Sequence, residues 1–278
     1  MRTGIASGWQ IAFFSFAFLL LLVPLTNWLT GLAPWPAEER QFIVKALPFM
    51  VAALVLGIAP GLRKWYRQEL AIPIPEEKRR EVAIVALGNV LFFTMGIAGS
   101  VALWHWLFGG AAALEHRMSM QLSDEAQRSS AVSPLGTLQF LLVFTVMAPV
   151  LEELVFRGLL FRAWERQWGW FPAMIATSVV FGLYHPFFLS AFLESIVFVC
   201  LLRRTGTLWA PIIVHGAANL SLWYPLMGHL IFPKGREAHT DIAAWDLQIA
   251  CLIVVAIALP VYVWLARRQY EPHGARGR

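Results

Sequence analysis

Long apolar runs separated by short polar segments set the pattern of this chain. A helix that crosses the hydrocarbon core of a bilayer needs about 20 predominantly apolar residues. Runs of this kind predict eight transmembrane helices, at Trp9–Leu29, Phe42–Pro60, Val82–Phe108, Leu135–Phe161, Phe171–Ser190, Ala191–Leu202, Leu208–Met227 and Leu247–Leu265. The sixth run is short and follows the fifth almost directly, so we expect it to be tilted or partly re-entrant. The pattern predicts an all-α fold, a polytopic transmembrane helical bundle of about eight helices.

The composition of the chain agrees with a membrane location. Hydrophobic residues make up 58% of the 278 and charged residues 14%, whereas soluble domains carry about 25% charged residues. The formal net charge of +5 could indicate nucleic-acid binding, but the basic residues lie between the apolar runs, and nucleic acid is not expected as a partner. Cys200 and Cys251 lie inside apolar runs, without the spacing of a disulfide framework or a metal site.

Basic residues outside the apolar runs predict the orientation. With the N-terminus in the cytoplasm, most of these Lys and Arg residues are cytoplasmic, as the positive-inside rule requires. Both termini are then cytoplasmic, including the basic tail Arg267–Arg278. A seven-helix alternative, with the sixth run lying in the interface, would place that tail outside. We therefore predict a multi-pass integral protein of the plasma (inner) membrane, with an uncleaved first helix rather than a signal peptide.

Two polar segments divide the chain. Arg63–Arg80 is charged and predicts a cytoplasmic loop with a surface helix, and Glu115–Pro134 predicts a flexible external loop. A boundary near Pro134 separates residues 1–134, with three anchoring transmembrane helices, from residues 135–278. The second part holds the ionisable residues at membrane depth, so we expect it to be a catalytic transmembrane core followed by a final helix.

The fourth run places Glu152, Glu153 and Arg157 at membrane depth. Ionisable residues cost about 2.5–3.5 kcal/mol each at the centre of a transmembrane helix and by default mark functional sites. Glu153 and Arg157 are four residues apart in the favoured acid-to-base order, which predicts an ion pair. Glu152 points about 100° away and has no partner in its own helix. An unpaired carboxylate in a low dielectric suits a general acid or base.

Later runs add His185, His215 and Asn219. If the fourth and fifth helices form a hairpin that turns near Trp168–Gly169, Glu152 and His185 are equally far from the turn. They then lie at the same depth, where they can hold a water molecule and take its proton. His215 and Asn219 are four residues apart on one helix face and can both donate hydrogen bonds to a developing oxyanion. These four side chains are the parts needed to hydrolyse an acyl bond.

Three motifs carry a resemblance to a known family. They are Glu152-Glu153-x-x-x-Arg157, Phe181-x-x-x-His185 and His215-x-x-x-Asn219. In order, spacing and helix placement they resemble the motifs of the CPBP intramembrane proteases, the CAAX prenyl endopeptidase and bacteriocin-processing (Abi) family. The resemblance covers about Leu135–Met227 and leaves the first three helices unassigned.

The resemblance implies a glutamic-type endopeptidase that acts on a membrane-associated protein or peptide. It implies that Glu152 and His185 activate water and that His215 and Asn219 form the oxyanion hole. Supporting roles fall to Glu153, Arg157 and Phe181. Glu194 in the sixth run matches no motif, and we expect it to face an interface or a polar cavity.

A zinc-dependent mechanism is the alternative to water activation by glutamate. Members of the family have been described as metalloproteases, and Glu152, His185 and His215 are the side chains that could then ligate zinc. The chain has no His-Glu-x-x-His sequence of the kind found on metalloprotease helices. We expect no metal and no other cofactor.

Two functions of other classes stay open on the residues alone. Intramembrane acids and histidines also build transporters and proton relays, although the chain shows neither an inverted repeat nor paired broken helices. A non-catalytic immunity or scaffold protein could share the fold. For a peptidase, the sequence does not choose among prenylated C-terminal tails, bacteriocin-type peptides and C-terminal sorting tags.

Overall fold

The computed structural model describes residues 60–93, 95–96, 98–110, 112–113, 116, 137–138, 140–185, 188–221 and 242–268, and their regular structure is helical throughout. The α-helices are α1 (Pro60–Leu70), α2 (Glu76–Gly88), α3 (Ala148–Glu153), α4 (Arg162–Trp168), α5 (Trp170–Tyr184), α6 (Phe188–Thr205), α7 (Trp209–Ser221) and α8 (Asp246–Ala266). The all-α prediction is confirmed for these residues. The predicted spans Trp9–Leu29 and Phe42–Pro60 lie outside them, apart from Pro60, as does the predicted loop Glu115–Pro134, apart from His116.

The fourth predicted helix is one continuous helical run that alternates between two geometries. A π-helical segment, Phe140–Met147, leads into α3, and a second one, Leu154–Phe161, joins α3 to α4. Pro149 lies within this run and has no N–H, so it cannot donate a backbone hydrogen bond to the preceding turn. Single π-helical turns are frequent at functional sites, and here the two segments flank the pair of glutamates. The prediction that this helix ends at Phe161 is wrong, because the run continues to Trp168.

Gly169 makes the turn between α4 and α5. Its φ of 81° and ψ of 166° form a conformation that only glycine adopts readily. The helix after it ends at His185, whose φ of −104° and ψ of 149° are extended. Pro186 follows in the sequence, and the residue before a proline is sterically disfavoured in the α conformation. The predicted hairpin turn is confirmed, and the predicted fifth span, Phe171–Ser190, ends earlier than expected.

Helix α6 is the centre of the described bundle, packed against α5, α7 and α8. It runs from Phe188 to Thr205, which is 18 residues, so the prediction of a short sixth helix, Ala191–Leu202, is wrong. Its side chains from Ser195 to Arg203 are all buried. Such burial explains why the run is rich in apolar residues, and it positions Glu194 and Ser195 near the polar residues of α3 and the segment that follows it.

One end of the bundle is held by ion pairs between α1, α2, α4 and α6. Arg162 pairs with Glu69, Arg203 with Glu165, and Arg204 with Glu81. Burial disfavours the ionised form of Glu81, but the hydrogen bonds and charges of Arg204 and Lys78 outweigh it and lower the pKa of that carboxyl. The hydrogen bond to Glu81 in turn raises the pKa of Arg204. The predicted loop Arg63–Arg80 is therefore mostly helical and is docked on the bundle, because α1 provides Glu69 and α2 provides Glu81 for these pairs.

Apolar side chains cover much of the exterior, most clearly on α8. Along that helix Leu247, Ile257 and Trp264 are 58%, 66% and 56% exposed. By length and hydropathy, the segment Ile242–Ala266 is the one candidate membrane span among the described residues, and Trp170–Leu183 is a shorter apolar helix. The other described helices are shorter than the length that a perpendicular crossing needs, or carry charged residues. The predicted count of eight spans is therefore not reproduced as eight long apolar helices.

Helix α7 approaches the segment Phe140–Met147 closely at Gly216. A Cβ at this position would lie 2.8 Å from the carbonyl oxygen of Thr145, which is closer than carbon and oxygen tolerate without a backbone shift. The glycine therefore lets α7 pack directly against the helical run that carries the glutamates. His215 precedes Gly216, and Asn219 follows three residues later, so this contact sets the position of both.

Candidate active site

Glu153 and Arg157 form a fully buried ion pair. Nη1 of Arg157 lies 3.0 Å from Oε1 of Glu153, and both side chains have 0% exposure. The guanidinium also donates from Nη2 to the carbonyl oxygen of Ser195, at 3.4 Å. The predicted pairing is confirmed, and it links the helical run of the glutamates to α6. A buried charge is tolerated only when it has a partner. Glu153 and Arg157 therefore each neutralise the charge of the other in the interior.

Phe181 and Phe198 enclose the cationic and imidazole groups of the site. The Arg157 guanidinium carbon lies 4.4 Å from the ring centroid of Phe181 and 5.0 Å from that of Phe198. Phe181 contacts His185, with the centroids 4.3 Å apart, and Phe198 stacks on His215 at 4.8 Å. The predicted packing of Phe181 against His185 is confirmed. Cations are attracted to aromatic faces, so the two rings stabilise positive charge at Arg157 and fix the planes of both imidazoles.

Glu152 faces both histidines. Its Oε2 atom lies 3.7 Å from Nε2 of His185 and 3.7 Å from Nε2 of His215. These separations are longer than direct hydrogen bonds, and the same oxygen has no hydrogen-bond partner among the described residues. The side chain of Glu152 is 10% exposed, whereas that of His185 is 27% exposed. The carboxylate is therefore poised beside two imidazole nitrogens, with an approach from outside along His185.

A backbone contact fixes the tautomer of His185. Its Nδ1 lies 2.7 Å from the carbonyl oxygen of Phe181, one helical turn earlier. A carbonyl only accepts hydrogen bonds, so Nδ1 carries the proton and Nε2 of the neutral ring carries a lone pair. That lone pair is directed toward Glu152. Two acceptors facing each other at 3.7 Å attract a group with two donor hydrogens, and water is such a group.

His215 is oriented by the carboxylate of the buried ion pair. Its Nδ1 lies 2.9 Å from Oε1 of Glu153, the oxygen that also accepts from Arg157. A carboxylate on one imidazole nitrogen holds the ring in place and stabilises a positive charge on it. The protonated ring can donate from Nε2, the atom that lies beside Glu152. Glu153 therefore supports both Arg157 and His215.

Asn219 is anchored to the helical run that carries the glutamates. Its Nδ2 donates to the carbonyl oxygen of Phe144 over 2.8 Å. The side-chain amide has a second N–H, which this bond does not use. The sequence predicted that Asn219, like His215, donates to an oxyanion. The structure shows that one of its two N–H groups instead bonds to the Phe144 carbonyl and so links α7 to the segment Phe140–Met147.

Residues 134–221, which contain these side chains, match the family model for type II CAAX prenyl endopeptidase Rce1-like proteins. A curated relative, "Putative membrane peptidase YdiL" of Bacillus subtilis (strain 168), is 28% identical over 137 residues. Both matches support the resemblance of this region to the CPBP family. The alignment with the Bacillus protein covers 47% of this chain, and the chain spans about half, 50%, of that relative's length. No solved structure matches the chain.

One polar contact near the site comes from outside the matched region. Nδ2 of Asn89, which follows α2, donates to Oε1 of Glu194 on α6 over 3.0 Å. Glu194 lies close enough for its charge to act on His215, His185 and Arg157. Glu194 was expected to face an interface or a polar cavity, and its carboxylate binds the buried amide of Asn89 near the site. No sequence motif joins these two residues, which are 105 positions apart.

The zinc alternative depends on the donor side chains of the site. A structural or catalytic zinc ion takes three or four His, Cys, Asp or Glu donors in a tetrahedral arrangement. Within the ranges that the structure describes, no group of three or more such side chains is placed to hold a metal ion. Glu152, His185 and His215 are the side chains that a zinc mechanism would use as ligands.

Proposed function

We propose that this chain is an integral membrane endopeptidase of the glutamic type, which hydrolyses peptide bonds of membrane-associated protein or peptide substrates. The observation that carries the proposal is the position of Glu152, whose Oε2 lies 3.7 Å from the Nε2 atoms of both His185 and His215. A carboxylate next to two oriented imidazoles is suited to moving protons in a hydrolysis. The family match and the name of the Bacillus relative support a peptidase.

The first half of the reaction is proton removal from water. A water molecule between Glu152 and His185 donates its hydrogens to Oε2 and Nε2, both of which are acceptors. As the water oxygen attacks the carbonyl carbon of the scissile bond, Glu152 takes the proton and becomes a carboxylic acid. The hydrogen bond from Nδ1 of His185 to the Phe181 carbonyl selects the neutral tautomer in which Nε2 accepts, so this histidine can orient the water.

The second half is stabilisation and collapse of the tetrahedral intermediate. The imidazolium form of His215, held by Glu153, donates from Nε2 to the oxyanion, and Asn219 donates its second N–H. Preorganised donors of this kind lower the barrier because they need no reorganisation when the charge develops. Glu152 then returns its proton to the leaving amine as the C–N bond breaks. Both products then leave, and Glu152 is again a carboxylate that can bind the next water molecule.

A membrane setting for this reaction is supported by the exterior of the bundle. Large apolar side chains are exposed on α8 and on the helical residues 98–110, where Trp104 and Phe108 are 61% and 70% exposed. Monomeric soluble proteins rarely expose contiguous apolar surface on this scale. The proposal includes several spans, both termini in the cytoplasm and a location in the plasma membrane, in accord with the distribution of basic residues along the sequence.

The experiment that tests this function compares membrane proteomes from cells that express the native chain or the Glu152→Gln variant. Peptides with a new C-terminus are expected in the native sample and absent from the variant sample. The variant keeps the size of the side chain and loses its basicity, so folding and insertion are preserved. Identical sets of C-termini, with both proteins present in the membrane at equal levels, would contradict a peptidase function.

Chelation separates the glutamic mechanism from a zinc mechanism. With purified protein and a cleaved peptide, EDTA or 1,10-phenanthroline is expected to leave kcat/KM unchanged, because Glu152 and His185 activate the water by themselves. The matched control is a known zinc peptidase in the same detergent, which must lose activity. A loss for this protein that is restored by added zinc would overturn the glutamic assignment and favour Glu152, His185 and His215 as ligands.

A further inference from the structure

Hydrogen bonds and an ion pair hold α1 against the end of the bundle where α6 ends. Thr207 donates from Oγ1 to the carbonyl oxygen of Ile72 over 2.7 Å, and Trp209 donates from Nε1 to that of Leu70 over 2.8 Å. These bonds attach the end of α1 and the residues just after it to the loop that follows α6 and to the start of α7. The ion pair of Arg162 with Glu69 attaches it to α4.

The same end of the bundle shows a change from apolar to basic surface. Arg203, at the end of α6, donates from Nε to the carbonyl oxygen of Ala266 over 3.0 Å, so α6 and α8 end at the same level. Just before this level Trp264 and Leu265 of α8 are exposed, and Arg267 follows, with its guanidinium 4.1 Å from the Trp264 ring. An aromatic residue followed by arginine marks the boundary between hydrocarbon and headgroups.

An open depression of about 390 Å³ lies on α1 at this level, lined by Arg63, Lys64, Arg67, Gln68 and Ala71. The three basic side chains of this depression have no carboxylate partner among the described residues. The neighbouring carboxylates are already engaged, because Glu69 pairs with Arg162 and Glu165 with Arg203. The depression therefore concentrates positive charge that the described carboxylates do not neutralise.

We propose that this basic depression binds the phosphate of an anionic phospholipid headgroup. Arg side chains can donate two hydrogen bonds to phosphate oxygens, and Lys adds a mobile point charge. Gln68, which also lines the depression, contributes an amide donor. A lipid satisfies two features at once, since its phosphate meets the cations while its acyl chains follow the apolar exterior. The inference needs membrane insertion of the chain but does not depend on peptidase activity.

Native mass spectrometry of the detergent-solubilised full chain tests the site. Dioleoyl-phosphatidylglycerol is titrated in parallel with dioleoyl-phosphatidylcholine, and the double variant Arg63→Gln, Arg67→Gln is compared with the unchanged chain. Because each basic residue near an anionic surface contributes about fivefold to affinity, we expect a loss on the order of 30-fold for phosphatidylglycerol. Phosphatidylcholine binding should not change.

The matched control is the double variant Arg79→Gln, Arg80→Gln, which removes the same charge from exposed positions on α2. It should bind phosphatidylglycerol within about threefold of the unchanged chain. Equal losses in both double variants, or no loss in either, would overturn the site. Displacement of the lipid by millimolar inorganic phosphate would reassign the depression to a free phosphate group. The Glu152→Gln variant should bind the lipid normally, which keeps this outcome separate from the catalytic proposal.

Discussion

Replacing Glu152 by glutamine is expected to lower kcat/KM for peptide cleavage by a factor on the order of 10³. The carboxylate is the one group of the proposed site that both accepts a proton from water and returns it to the leaving amine. Glutamine keeps the shape and the contacts with the two imidazoles, but its amide cannot take the proton. The loss should therefore appear in kcat, with KM changed little, in a discontinuous assay on a cleaved peptide.

Glu76→Gln is the matched control for this variant. Glu76 is at the start of α2, and its side chain is 86% exposed in a surface pair with Arg79. The same substitution there should leave kcat, KM and thermal stability unchanged. Equal activity of the Glu152→Gln variant and the native chain would exclude Glu152 as the base. The Glu152→Gln variant and the native chain are also compared by thermal unfolding in detergent. Loss of the cooperative unfolding transition in the variant would mean that it is misfolded, and its loss of activity would then not report on catalysis.

Features that depend on local geometry could be predicted from the sequence. The pair Glu153–Arg157 follows from four-residue helical spacing, and the structure shows it at 3.0 Å. The approach of Glu152 to His185 follows from counting residues on both sides of the Gly169 turn, which the structure also shows. In both cases one helix or one hairpin fixes the distance, so no knowledge of the wider bundle is needed.

Features that depend on helix register across the bundle could not be predicted. Asn219 is used partly to bind the Phe144 carbonyl, and that contact depends on the π-helical geometry of Phe140–Met147, which leaves no clear pattern in sequence. Phe198 stacks on His215, yet a phenylalanine in an apolar run is expected in any bundle. The tautomer of His185 did have a signal. The His185–Pro186 sequence predicts the end of a helix at His185. At such an end the carbonyl of Phe181, one turn earlier, can accept a hydrogen bond from the His185 ring.

Replacing Arg157 by methionine is expected to lower the free energy of unfolding by about 3–5 kcal/mol. Methionine fills much of the same volume but leaves the Glu153 carboxylate buried without its guanidinium partner. The contacts of the cation with Phe181 and Phe198 are lost as well. Reversible unfolding in mixed detergent micelles, followed by tryptophan fluorescence, measures the change. Arg166→Met is the control, because Arg166 is exposed and should cost little.

A double variant shows whether the cost comes from the unpaired charge. In Glu153→Leu, Arg157→Met both charges are gone, so a large part of the lost stability should return, as it does when apolar residues replace a buried ion pair. Activity should not return, because His215 has lost the carboxylate that holds its Nδ1. A double variant with a lower free energy of unfolding than Arg157→Met would show that lost packing, rather than the unpaired charge, explains the loss of stability. Stability recovered without activity would separate the two roles of Glu153, as partner of a buried cation and as support for the oxyanion donor.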